Sequence, residues 1–199
     1  MNSIMRRDGF EHMSLDDFEE YLADKPAHQK WELIGGRVVK MMVGARWEHK
    51  RIVQNLTSHL LTTLRRRGSA CRPYDETFFL KKPELQSALL PDVMVRCGPL
   101  EPGATHLDDP VVAVEVLSEG SAARDRTEKW AVYCKLPSLQ HYVLVDRDRL
   151  SVEVRTRRSA DWLVQFVSDD PDAHVPLPAL DLSIPLAVIY EDLPLLARS

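Results

Sequence analysis

The sequence predicts a mixed α/β or α+β fold, with helices packed on a central sheet that holds both parallel and antiparallel strands. Three stretches carry this reading. "VVAVEVLS" (111–118) is a short apolar run bounded by turn-type residues, the composition of a strand buried on both faces. "SAARDRTEKWAVYCKL" (121–136) follows as a helix stopped by Pro137, and "LQHYVLVD" (139–146) follows the helix as a second strong strand. A strand, a crossover helix and a strand in that order imply a parallel, right-handed unit. Beyond it, "LSVEVRT" (150–156) and "WLVQFVS" (162–168) alternate as the strands of an antiparallel tail.

The earlier elements follow from local signals. "MSLDDFEEYLAD" (13–24) has Ser14 as an N-cap and sets Leu15, Phe18, Tyr21 and Leu22 on one helical face. "WELIGGRVVKMM" (31–42) reads as a hairpin around Gly35-Gly36. Residues 46–67 form the longest helix: Ile52, Val53, Leu56, Leu60, Leu61 and Leu64 keep the 3.6 period, and Gly68 ends it. "CRPYDETFFL" (71–80) and "LPDVMV" (90–95) read as strands, and Pro176, Pro178 and Pro185 cut the C-terminal part into short pieces. There is no repeat, low-complexity tract or long linker, so the 199 residues are read as one domain.

Composition narrows the function classes. At 44% hydrophobic and 28% charged the chain can bury a core and is not disordered. No apolar run approaches the roughly 18 residues of a membrane-spanning helix, and the N-terminal arginines are not followed by the apolar block of a secretory signal. Cys71, Cys97 and Cys134 are far apart, odd in number and without a CxxC pair. Neither a cysteine zinc site nor a disulfide framework is expected, and a cytoplasmic location is. Net charge is −4, but residues 46–67 carry Arg46, Lys50, Arg51, Arg65, Arg66 and Arg67 against Glu48 alone. A basic helix on an acidic chain is compatible with phosphate binding, but charge alone favours a solvated helix face. No phosphate-binding GxxxxGK[ST], no GxGxxG and no GxSxG occurs, and the tryptophans form no stacking platform.

The chemistry lies in the carboxylates. Glu115 sits inside the apolar strand, and Asp92 follows Pro91 at the start of another. Each is costly alone, and together they repel. A divalent cation such as Mg²⁺ or Mn²⁺ removes both penalties, being held by one or two carboxylates with a backbone carbonyl near Val116 as a further ligand. An ion pair between Glu115 and Lys129 or an arginine is the alternative. Asp125, Lys129 and Tyr133, at i, i+4 and i+8, share one face of the following helix, so Lys129 can project toward the acids. A lysine there orients water or neutralises developing phosphate charge.

Taken in order, "WELIGGRVV", a helix with His49, "LPDVMV", "VVAVEVLSEGS" and "RDRTEKWAVYCKLPSLQHYVLVD" resemble the Uma2 family, also called DUF820. The resemblance spans roughly residues 14–190. It implies the restriction-endonuclease-like PD-(D/E)xK fold and a Mg²⁺- or Mn²⁺-dependent endonuclease acting on nucleic acid, DNA in the first place, as a homodimer. It makes Asp92 the motif aspartate and Glu115 the motif acid. The parent fold places a lysine two positions after that acid, where this chain has Leu117, so the lysine role passes to Lys129. Glu32 matches the extra acid of the fold, and His49 a position near the start of the long helix, within expected reach of the scissile phosphate or a bound water. Tyr133 is expected to be a packing residue with its hydroxyl near the site. Ser118-Glu119-Gly120-Ser121 and His141 depart from the family's usual loop and strand. The competing expectation is a catalytically idle nuclease fold that binds nucleic acid or a protein partner.

Overall fold

In the computed structural model, residues 12–196 are described except 27, 42–45 and 77. The N-terminal arginines, Met42 of the hairpin and Thr77 of the strand at 71–80 lie outside the described residues.

Local signals place most elements. Ser14 caps α1 (Leu15–Ala23) by accepting from the Asp17 N–H at 3.1 Å. Gly35 and Gly36, with φ of +57° and +85°, turn β1 (Trp31–Ile34) into β2 (Arg37–Lys40). The apolar stripe of α2 (Trp47–Arg66) buries Ile52, Val53, Leu56, Leu60 and Leu64. β3 (Cys71–Asp75), β4 (Phe79–Lys82), β5 (Ser87–Leu89), β6 (Val93–Cys97) and β7 (His106–Leu107) lead to β8 (Val112–Leu117), which is buried at every residue. A helical stretch over 122–133, α3, contains a π-helical turn at Asp125–Lys129. β9 (His141–Asp146), β10 (Ser151–Arg158), β11 (Asp161–Ser168), β12 (His174–Leu177) and β13 (Leu182–Pro185) follow, with a short helix at Leu186–Ile189.

The main sheet has six strands in the order β11-β10-β9-β8-β6-β3. β8 and β9 run parallel, as a crossover through α3 requires, and the other neighbours are antiparallel. A second sheet, β2-β1-β5-β4-β7, carries the hairpin. β8 explains the layering. Val112, Val114 and Val116 join the α2 stripe in one core, whereas Ala113 and Leu117 join Tyr133, Leu136 and Tyr142 in another. The period of two along the strand therefore sends Glu115 to the α3 face. No helix among the described residues is long and apolar enough to cross a membrane.

Two sequence expectations are corrected. The strand at 90–95 begins only at Val93, so Asp92 stands just ahead of β6. Cys71 and Cys97 are directly opposite in the β3–β6 ladder and form a disulfide, leaving Cys134 as the free thiol among the described residues. A sequence separation of 26 residues gives no hint of strand register, which is what brings them together. With that bond present, the cysteines no longer argue for a reducing compartment.

His141 fastens β9 to the turn before β13. Its Nε2 accepts from the Ala179 N–H at 3.1 Å and its Nδ1 lies 3.1 Å from Thr156 Oγ1. This pairing needs the neutral ring, and burial lowers the pKa to about 4. Between the unfolded value near 6.5 and about 4 the unfolded chain binds the extra proton, so stability falls as pH falls through that window. Urea midpoints at pH 7.5 and pH 5 are expected to differ less in His141→Gln than in the unchanged protein.

Candidate active site

Three elements, β1, β8 and α3, converge on one buried ammonium group. Lys129, in the π turn of α3, is 1% exposed. Its Nζ lies 3.0 Å from Glu32 Oε1, 3.0 Å from Glu115 Oε1 and 3.6 Å from Asp125 Oδ1. Glu32 comes from β1 and Glu115 from β8, so the second sheet reaches the main sheet through this contact. Glu32 Oε1 also accepts from the Leu90 N–H at 2.8 Å, while its Oε2 is buried and has no hydrogen-bond partner among the described residues. Tyr133 donates its hydroxyl to Glu115 Oε1 at 2.7 Å, and Tyr142 donates to the Asp125 carbonyl at 2.9 Å. The π turn is therefore held at both ends of its polar face, a local widening that often accompanies a functional site.

The electrostatics are lopsided. Three carboxylates surround one ammonium, and all four residues are at most 3% exposed. Burial alone would push the Lys129 pKa down, but the carboxylates of Glu115, Glu32 and Asp125 hold it well above its usual value. Burial raises Glu115 well above the usual carboxylate range, against the pull of Lys129, and neighbouring Asp125, Asp92 and Glu32 raise it further. Asp125 is raised by the same burial, opposed by Lys129 and by the Ser121 hydrogen bond. Tyr133 is raised by burial and by the Glu115 charge. The cluster thus holds excess negative charge, which protons or a cation must offset.

Asp92 links this cluster to the opposite face of the sheet. The β6–β8 ladder ends at Val93 and Val114. Just beyond it, the Asp92 side chain takes the place of a backbone partner, its Oδ2 accepting from the Val116 N–H at 2.7 Å. In an extended strand the Val116 carbonyl lies on that same edge. Asp92 Oδ1 lies 3.1 Å from His49 Nε2, at the first turn of α2. Ligand atoms of His49, Glu76 and Asp92 all lie within 4.8 Å of one another. Two carboxylates and an imidazole suit Mn²⁺ and, less well, Mg²⁺, so the donor set and the surplus charge beside it both fit a divalent cation.

The sequence-predicted residues are therefore brought together: Glu32, Glu115, Lys129 and Tyr133 in one contact group, and Asp92, His49 and the Val116 backbone beside it. Glu115 is engaged by Lys129 and Tyr133, as the ion-pair alternative expects. Glu76 was missed. It follows the last residue of β3, where nothing in its spacing marks it, and only the strand pairing carries it to Asp92.

Comparison with known proteins gives a consistent result. The Uma2 family model, described as "Putative restriction endonuclease", matches residues 15–188. Two proteins of Synechocystis sp. (strain ATCC 27184 / PCC 6803 / Kazusa) are similar, both described as uncharacterized. The first, slr1290, is 28% identical over 179 residues, covering 88% of this chain and 91% of the relative. The second, sll1609, is 31% identical over 140 residues, covering 67% of this chain and 76% of the relative. A crystal structure of a "putative nuclease belonging to DUF820" from Anabaena variabilis ATCC 29413 superposes with a TM-score of 0.72 at 20% identity, covering 89% of this chain and 97% of that one. At that identity the likeness establishes the fold.

Removing the ammonium tests the charge accounting. Lys129→Met is expected to lose about 3–5 kcal/mol at pH 8, the usual cost of breaking a buried ion pair. Carboxyls with raised folded pKa values take up protons more readily in the folded state, so acidification restores stability. Urea titrations of the variant should show the deficit shrinking from pH 8 to pH 5.

Proposed function

The chain belongs to the Uma2 family, and from that premise we propose that it is a Mg²⁺- or Mn²⁺-dependent endonuclease hydrolysing phosphodiester bonds, with DNA as substrate. The observation that carries the reading is the surplus of buried negative charge: one ammonium among three carboxylates, directly beside the Asp92–His49 pair. A structural ion pair needs one acid per base. Three acids around one lysine, with a fourth next to them, is an arrangement that gains from a divalent cation.

Asp92 is the shared ligand. His49 and Glu76 complete a three-donor group with it, and Glu115 with the Val116 carbonyl are the ligands that the family pattern sets beside it. A bound divalent cation would polarise a phosphate oxygen and lower the pKa of water. The protein's own groups do the rest. The Val116 N–H holds one oxygen of the Asp92 carboxylate, so that it is oriented before substrate arrives. Tyr133 and Lys129 pin Glu115 from two sides. Lys129, kept charged by its acids, offsets the negative charge that builds on the phosphate during displacement. Glu32 holds Lys129 in place while anchoring the Leu90 backbone two residues ahead of Asp92. A duplex has two strands to cut, and a homodimer supplies two such sites.

Asp92→Asn/Glu115→Gln keeps the volume and much of the hydrogen bonding of both acids. Calorimetry is expected to show Mn²⁺ binding to the unchanged protein and at least roughly tenfold weaker binding to the folded double variant. Cleavage of a DNA duplex should fall by about 100-fold or more in Glu115→Gln. Equal Mn²⁺ affinity in both proteins would sink the reading.

A further inference from the structure

Glu76 has a second set of partners. Its Oε2 lies 3.3 Å from Lys30 Nζ, and its Oε1 is paired with Lys50 Nζ. Lys30 directly precedes β1, and Lys50 follows His49 on α2. The two lysine side chains are 36% and 45% exposed, while Glu76 between them is 21% exposed. One carboxylate, each oxygen held by a different ammonium, therefore also belongs to the donor group of His49 and Asp92.

We infer that Lys30 and Lys50 form a clamp for a phosphate-class anion, the substrate phosphate on the nuclease reading, and that Glu76 is a shared group that covers the clamp until it turns to a cation at His49 and Asp92. This inference rests on the proposed function and adds the substrate-side residues to it. A carboxylate presents two equivalent anionic oxygens, as the non-bridging oxygens of a phosphodiester do, and both attract charge-assisted N–H donors. The side chain that holds the two ammoniums apart thus has the shape and charge of the ligand they would take. Ion pairs this exposed are weak and screened by salt, so Glu76 changes partner at little cost. When Glu76 serves the cation, the two lysines lose their acid and stand free beside it. Cation binding and phosphate binding then favour one another, and by linkage the effect is reciprocal.

The test uses tripolyphosphate as a simple probe in metal-free buffer, read by calorimetry, with folding of each protein checked by circular dichroism. In the unchanged protein binding is weak, and Lys30→Gln/Lys50→Gln alters it less than about twofold because Glu76 already occupies both lysines. Glu76→Gln tightens binding about tenfold, and adding Lys30→Gln/Lys50→Gln to it erases the gain. No gain in Glu76→Gln, or a gain that survives in the triple variant as a mere charge effect, overturns the clamp. Mn²⁺ calorimetry is the second arm: Glu76→Gln weakens binding, and unchanged Mn²⁺ affinity in that variant overturns the sharing of Glu76. A DNA duplex titrated against the same four proteins separates the two ideas. A clamp on tripolyphosphate without duplex binding upholds the clamp and removes the nuclease reading. Duplex binding indifferent to both lysines removes the clamp alone.

Discussion

An ammonium group cut off from water must be surrounded by negative charge, and the chain supplies that charge to Lys129 from three separate places: residue 32 in the first hairpin, residue 115 in the central strand and residue 125 a turn earlier on its own helix. Everything near the site answers to this requirement. β8 must alternate so that Glu115 faces α3 while Val114 and Val116 face α2. α3 must widen at Asp125–Lys129 and be tied to Tyr142. β1 must lie where Glu32 can reach both Lys129 and the Leu90 backbone.

The two helices divide the labour. α2 covers one face of the main sheet with an apolar stripe and offers only its first turn, with His49 and Lys50, to the site. The basic cluster Arg65-Arg66-Arg67 lies at the other end, roughly 25 Å away at helical rise, where Arg67 pairs with Asp181. The charge run read from the sequence is thus split between one end that meets the acids and one that closes the helix, where cations are favoured anyway. α3 covers the opposite face and brings the lysine and tyrosine. Asp92, just past the end of the β6–β8 ladder, stands where the two faces meet.

Much of this was legible before any coordinates. An acid inside "VVAVEVLS" is expensive, and the crossover that follows can place only a few side chains over it, which is why Glu115, Lys129 and Tyr133 were found together. Glu32 and His49 came from the family resemblance instead, since a glutamate in a short strand and a histidine on a helix are ordinary. Glu76 and the Cys71–Cys97 pair were not legible for a shared reason. Both depend on where β3 lies against β6, and a pairing register between strands separated by a helical 3₁₀ turn and two further strands leaves no periodic trace in the sequence. The π turn is invisible for a different reason: the sequence pattern marks the helix as a whole, and nothing in "DRTEK" marks one turn of it as wider.

The contact between Glu32 and Lys129 also bears on how the chain reaches this arrangement. The main sheet and α3 can meet first, through the parallel β8–β9 pairing, but at that stage the ammonium has lost water and gained only part of its compensation. Closing the contact requires residues 97 positions apart in the chain, a costly loop to order early. Lifting the hairpin would take one of three carboxylates from Lys129 and return water to it, so the burial of the ammonium ties the second sheet to the main one.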